Sequence, residues 1–317
     1  MSNPVSSGRD RAEGRKAAPV KKSRTIPITS GRDRAEGWQY AKTTGHLNEK
    51  NLAQLLKDDE SFGREIGRRV FGKDVGVPVE VKGGGASAEH VSDIFESHTN
   101  GKPDIYVRWS RSEPVNFSVK KSMSGQVFLT SVDRFFKGYE HHFEESVPER
   151  VATMMRLFIG SNPRECDVVM RGKSYLGPKT RGSSKLQEQH QHRLLGITLD
   201  HYFPKDWKAT LDWLDSRCSQ IADFAFSRGY AKNKSDFATH VWYFVADGKG
   251  DPVNKIFPIS EIIHHSSSTS KRVSIGPNNG GSTIIFPFGF LQMHSPQVNN
   301  QVQFHHQYSK FSHLTGR

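Results

Sequence analysis

Two short stretches carry residue types able to hydrolyse a phosphodiester: Pro103-Asp104 and Ser118-Val119-Lys120. Such hydrolysis needs a hard cation on carboxylate oxygen, to polarise the phosphate and lower the pKa of an attacking water. It also profits from a lysine that positions or activates the water. Asp104 opens the run Asp-Ile-Tyr-Val-Arg-Trp at 104–109, which reads as a strand. Ser118 and Lys120 sit in a second run, Val-Asn-Phe-Ser-Val-Lys-Lys at 115–121. Residues two apart on a strand share a face, so Ser118 and Lys120 point the same way. If the two strands pair, Asp104 stands beside them. Plainer roles stay open for both ends of the set. Asp favours the turn before a strand, and Lys120 with Lys121 would suit a solvated sheet edge that resists aggregation.

The elements that must position these groups follow from periodicity and punctuation. Trp38, Ala41, Leu47, Leu52, Leu55 and Leu56 fit one helical face, with a break near Gly45. A short helix is expected from Ser61, as N-cap, to Val70. Val77, Val79 and Val81 then alternate with Pro78 and Glu80 before Gly83-Gly84-Gly85, a strand and a turn. The four-residue link Arg111-Ser112-Glu113-Pro114 makes a hairpin of 104–109 and 115–121. Gln126 to Phe143 reads as one amphipathic helix through Val127, Leu129, Val132, Phe135 and Phe136. Pro148 to Ile159 reads as another, with proline where a first turn tolerates it. Asp167 to Met170 reads as a short buried strand, residues 203–230 as helical, and His240 to Ala246 as a buried strand. From Lys271 onward, short β-like runs such as Ser282 to Phe286 alternate with Gly, Asn and Pro turns.

Composition narrows the partner. Lys and Arg number 45 against 33 Asp and Glu, a net charge of +12, and each phosphate contacted by such a cation releases a counterion, so a polyanion is the natural partner. Residues 1–37 hold nine Lys/Arg against four Asp/Glu and read as a disordered basic tail, in which Ser-Gly-Arg-Asp-Arg-Ala-Glu-Gly occurs at 7–14 and again at 30–37. No run approaches the roughly 20 apolar residues that span a bilayer. Cys166 and Cys218 are too few for a disulfide framework and read as buried thiols, so a cytoplasmic protein with no membrane partner is expected. Walker A, Rossmann glycine and Gly-x-Ser-x-Gly patterns are missing, which sets aside NTP-driven, dinucleotide and serine-hydrolase chemistry. The histidine pairs 141-142, 264-265 and 305-306 lack ligand spacing and form no site by themselves.

Pro103-Asp104, Ser118-Val119-Lys120 and the order of elements from Trp38 to Met170 resemble the PD-(D/E)XK nuclease superfamily, which includes many type II restriction endonucleases. The resemblance implies an α/β fold: a restriction endonuclease-like core of mixed sheet flanked by helices, followed by a C-terminal α+β recognition region. The domains would be a tail at 1–37, a nuclease core at 38–170, and a DNA-recognition and core-completing region at 171–317. It implies Asp104 as chief metal ligand, Lys120 as catalytic lysine, Glu49 as an added acid on the first core helix, and Gln126 as the polar residue opening the helix after the third strand. Magnesium, held by Asp104 and Glu49, is the implied cofactor. Position 118 departs from the pattern, because the acid expected there is serine, a poorer metal ligand.

A core of this kind covers little DNA, so recognition is expected from added elements. Residues 171–193 carry six Lys/Arg against one Glu and include Arg171, Lys173, Lys179, Arg181 and Lys185. The C-terminal part supplies Lys271, Arg272, Asn278, Asn279, Gln292, His294, Gln297, Gln303, His305 and His306, types that pair with base edges in the major groove. The activity so expected is metal-dependent, sequence-specific cleavage of double-stranded DNA by a homodimer, since symmetric targets suit two-fold proteins. A repair, mobile-element or junction nuclease is the alternative of the same chemistry. A DNA-binding protein that has lost catalysis, with Ser118 as the mark of the loss, is the alternative of another class.

Overall fold

The computed structural model describes residues 49–83, 90–161, 163–173, 193–245, 253–269, 273–278, 280–295 and 298–314. The expected tail at 1–37, its repeat and the first part of the helix begun at Trp38 lie outside the described residues, as does the turn at Gly84-Gly85. Helix runs over 49–58 (α1) and again over Glu60–Phe71 (α2). The cap of α2 is Asp59, not Ser61: its carboxylate accepts from Phe62 N at 3.0 Å, and Ser61 lies inside the first turn.

A five-stranded sheet follows the order β1-β4-β5-β7-β8, from Pro78–Gly83 (β1), Ile105–Trp109 (β4), Val115–Lys120 (β5), His240–Val245 (β7) and Val253–Pro258 (β8). Between β1 and β4 a small hairpin pairs His90–Ser92 (β2) with His98–Asn100 (β3). β4 and β5 form the expected hairpin, with Ile105 opposite Phe117 and Val107 opposite Val115. β7 lies parallel to β5, Lys120 opposite Tyr243. A parallel pair requires a long crossover, and here the crossover is most of the chain between Lys121 and Thr239.

Strict alternation along β5 decides what each face of this sheet touches. Val115, Phe117 and Val119 join Ile105, Val107, Trp109, Trp242 and Ile256 in a core against Leu52, Ala53 and Leu56 of α1 and Ile66 and Val70 of α2. Asn116, Ser118 and Lys120 project from the opposite face. α2 lies close on the sheet because of its glycines: a Cβ at Gly67 would stand 2.8 Å from Trp109 Nε1, and one at Gly63 2.6 Å from Pro78. Trp109 is fully buried and donates from Nε1 to Gly63 O at 2.8 Å. Trp109→Ala is therefore expected to cost about 3–5 kcal/mol, since it opens a cavity and removes a buried hydrogen bond. The midpoint of urea unfolding would measure it.

The larger core lies on the other face. A second five-stranded sheet, in the order β6-β12-β11-β10-β9, is built from Ser124–Ser131 (β6), Ser274–Ile275 (β9), Thr283–Phe286 (β10), Gly289–Ser295 (β11) and Val298–Gln307 (β12). Ile284, Phe286, Leu291, Met293, Val302 and Phe304 bury one of its faces together with Val241, Tyr243 and Phe257. Val132–Phe143 (α3), Glu149–Ile159 (α4) and helices at Pro204–Ser216 and Ile259–Ser268 complete that core. Cys166 and Cys218 are buried free thiols, as expected. Burial pushes both up to about 12.

Two expected elements change type. The single helix expected over 126–143 is strand β6 followed by α3. Ser131 ends the strand and caps the helix, accepting from Arg134 N at 3.3 Å, and β6 is held by β12 from the far end of the chain. The strand expected at 167–170 is a helix, Pro163–Val169 (α5). Cys166 and Met170 are both buried, four residues apart on one helical face, and Val168 is 60% exposed. The aromatic stretch at 203–230 is helical as expected, but broken into Pro204–Ser216, Cys218–Asp223 and a π turn at Phe224–Arg228.

Candidate active site

Pro103 has no N–H to continue the ladder, so the backbone pairing of β4 stops at its first residues. Asp104 takes over with its main chain and then its side chain. Its N–H donates to Phe117 O at 2.8 Å, and its carboxylate Oδ2 accepts from Val119 N at 2.7 Å, where a neighbouring strand would have supplied a carbonyl. The carboxylate is thereby fixed at the edge of β5. Ser118 Oγ donates to the same Oδ2 at 3.3 Å, and Lys120 Nζ donates to Ser118 Oγ at 2.7 Å and to Val119 O at 3.3 Å. Asp104, Ser118 and Lys120 thus stand in one hydrogen-bonded line. Asp104 Oδ1 accepts no hydrogen bond among the described residues.

The Asp104 end of the line opens on a cleft of about 220 Å³, lined by Asp104, Asn116, Tyr106, Lys82 and Asp236 among others. Asn116 holds its far wall: Nδ2 donates to Ser235 O at 2.7 Å and to Phe237 O at 2.8 Å, tying the 3-10 turn Lys234–Asp236 to β5.

Three further groups back the line; Lys102 and Tyr243 were not singled out from sequence, and His306 was expected only to read bases. Lys102, two residues before Asp104, donates to Val127 O at 3.0 Å and lies 4.6 Å over the Phe128 ring. Burial, aided by the charge of Lys120 and opposed by that of Asp104, lowers its pKa to about 7. Gly101-Lys102-Pro103, abutting the acid, was the sequence signal available for it. Tyr243, in register beside Lys120, has its hydroxyl 2.7 Å from His306 Nδ1. Burial, then the charges of Lys120 and His305, hold the His306 imidazole well below its ordinary pKa, and burial keeps the Tyr243 phenol well above its own. His306 is 1% exposed and therefore cannot face a base edge as its composition-based reading supposed. Both groups reach the site through strand pairings far apart in sequence, which no local pattern announces.

The other expected residues are placed as follows. Glu49 begins the described part of α1, and its charge acts on Lys121, opposing the fall in pKa that burial imposes there. Among the described residues no group of three or more His, Cys, Asp or Glu stands close enough to hold a metal ion. Gln126 does not open a helix: it lies on β6, and its Oε1 accepts from Gln303 Nε2 at 2.6 Å. Arg171 is exposed after α5, and Lys173 donates to Val169 O at 2.8 Å while lying 5.1 Å over the Phe203 ring. Asn278 is exposed in a turn before β10. Gln292, Gln303 and His305 lie on β11 and β12, half-buried, away from the core. His294 is on β11, with its side chain outside what is described, and Lys179, Arg181, Lys185, Lys271, Arg272, Asn279 and Gln297 lie outside the described residues.

Among solved structures, the restriction endonuclease MspI in complex with its cognate DNA is similar to this chain. The TM-score is 0.48 and the identity 11%, over 87% of this chain and 93% of that one. At that distance no residue role passes from one chain to the other. No family model matches, and no curated protein does. No helix among the described residues is long and apolar enough to cross a membrane.

Proposed function

We propose that this protein is a divalent-metal-dependent endonuclease that cuts double-stranded DNA at a defined sequence, in the manner of type II restriction enzymes and as a homodimer. The observation that carries the reading is the hydrogen-bonded line of Asp104, Ser118 and Lys120 along the central strand β5, with Asp104 lining an open cleft. A carboxylate with one oxygen to spare and a lysine one residue-pair away are the two groups that phosphodiester hydrolysis asks of a protein. The net charge of +12 supplies the attraction for a polyanion.

Magnesium fits the residues present. It keeps several waters and binds through one or two carboxylates plus substrate phosphate, and does not ask for an all-protein cage. Asp104 Oδ1 is the oxygen that would hold it, with Glu49 as the further acid proposed from sequence. When bound, the ion lowers the pKa of a coordinated water and neutralises charge on the phosphate. The protein's own part is then positioning. Asp104 is locked by the Val119 amide, so its free oxygen keeps one direction. Lys120 is drawn to Ser118 Oγ and can swing from there to a phosphate oxygen or to the attacking water. Ser118 in the place of an acid leaves the site one negative charge poorer and lets Lys120 stay close without an ion-pair partner on its own strand.

The test is incubation of the purified protein with unmethylated phage DNA in magnesium buffer, beside an EDTA control. Discrete fragments that vanish in EDTA are the expected result. Intact DNA in both, with the protein bound, would overturn the nuclease reading in favour of a DNA-binding protein. Binding should weaken steeply between 50 and about 200 mM salt, by roughly 10³-fold if six or more phosphates are contacted.

A further inference from the structure

Three strands of the second sheet bring four polar side chains into one row on the face turned away from the core. Gln303 Nε2 donates to Gln126 Oε1 at 2.6 Å, and Gln292 Nε2 donates to Gln303 Oε1 at 3.2 Å. Gln292 Nε2 also stands 3.3 Å from His305 Nε2. The register makes the row: Gln292 is opposite Gln303 across β11 and β12, and His305 is opposite Gln126 across β12 and β6 after a bulge. One end is stiffened by Phe290, whose ring stacks on His305 at 4.4 Å with the planes 10° apart. The alternating residues Leu291, Met293, Val302 and Phe304 point into the core, so the row cannot slip in register without exposing them.

The row is ordered yet not used up. A glutamine amide has two N–H donors and a carbonyl with two lone pairs. Among the described residues Gln126 spends only its oxygen, Gln292 only its nitrogen, and Gln303 one bond on each side. Ordering long side chains in advance removes entropy that binding would otherwise have to overcome. The strand that starts the row is also tied to the cutting site: Lys102, beside Asp104, donates to Val127 O, and β6 begins four residues after Lys120. No lysine, arginine, aspartate or glutamate belongs to the row. It therefore lacks the cations that read guanine O6 and N7 and the acids that accept from cytosine N4, and keeps the amides that pair with adenine N6 and N7.

We propose that the Gln126–Gln303–Gln292 row, held by His305 and Phe290, is a base-reading surface that recognises adenine edges in the major groove of the duplex. The assignment rests on the endonuclease reading and moves Gln126 from chemistry to recognition. The full chain would be used to select duplexes from a random library in calcium buffer, comparing wild type with Gln303→Leu and with the milder Gln126→Ala at an exposed position. Thermal melting checks that each variant is folded. Wild type is expected to enrich an adenine-containing site and both variants to lose preference at adenine by about tenfold, with non-specific binding kept within about threefold. Replacing that adenine by 7-deazaadenine, which removes only N7 as an acceptor, should weaken wild type by a similar factor and Gln303→Leu no further. Unchanged enrichment in both folded variants would overturn the row and leave the endonuclease reading standing. A shift of Gln126→Ala from dimer to monomer would overturn it too, by making the face a contact between copies. Failure of wild type to bind any duplex would remove both readings together.

Discussion

Lys120→Ala is expected to lower the cleavage rate by about 10²–10⁴-fold, the range that a lost acid-base or water-positioning group costs. Duplex binding in calcium buffer should stay within about tenfold of wild type. The substitution removes one ammonium from the end of β5 and leaves the backbone pairing of Ser118 with Val241 and Val119 with Trp242 intact. Its direct partners are a hydroxyl and a carbonyl, and Ser118 Oγ keeps its bond to Asp104, so folding should be little affected. A second readout separates loss of charge from loss of fold. Burial is the main cause of the low pKa of Lys102, and the charge of Lys120 adds to it. Removing that charge favours the protonated form, so the pKa of Lys102 should rise from about 7 yet stay below that of a free lysine. Single-turnover cleavage assays and an NMR titration of Lys102 Nζ would measure the two effects. A variant that cuts near the wild-type rate would show that Lys120 plays no part in the chemistry.

Strands whose pattern and partner are both local could be read from the residues alone. Residues 104–109 and 115–121 alternate at period two and are joined by a short link, so the hairpin and the common face of Ser118 and Lys120 follow from the chain. The register does not, since the last pair, Val107 with Val115, encloses 108–114, a longer stretch than the link that the sequence suggests. Asp104 falls beside them because Pro103 cannot extend the ladder. By contrast, Gln126 to Phe143 joins a run with period two, Val127 and Leu129, to one with period near 3.6, Val132, Phe135 and Phe136. Apolar spacing over so short a run cannot separate the two, and the partner that makes the first part a strand, β12, lies more than 160 residues away.

The same distance hid half of the site's surroundings. Tyr243 comes beside Lys120 only through the parallel pairing of β5 with β7, and His306 comes behind it only through β12. Neither has a local signature, since a Tyr in a buried strand and a His in a polar one are ordinary. Their meaning is electrostatic: a neutral imidazole and an un-ionised phenol next to Lys120 set no acid against it from that side. Asp104 is then the carboxylate that Lys120 meets through Ser118, and that makes the acid the more exposed point of failure.

Asp104 should be the position where activity and stability separate most cleanly. Its carboxylate closes the ladder through Oδ2, which accepts from Val119 N and Ser118 Oγ, and on the proposed endonuclease reading Oδ1 would take a cation. Asp104→Asn keeps an oxygen able to accept from Val119 N but removes the negative charge. It is expected to melt within a few degrees of wild type and to show no magnesium-dependent cleavage, because a neutral amide is a far weaker ligand for a hard cation. Asp104→Ala removes both functions. It should be equally inactive and also lose about 1–3 kcal/mol of stability, the cost of an N–H left without a partner in the sheet. Urea unfolding and magnesium-dependent nicking of a supercoiled plasmid, run on both variants, give a two-by-two outcome. Equal stability in the two variants would mean that Val119 finds water or another acceptor and that the carboxylate is no strand clip. Cleavage by Asp104→Asn at near wild-type rate would place the cation on other oxygens and detach the chemistry from this edge of β5 altogether.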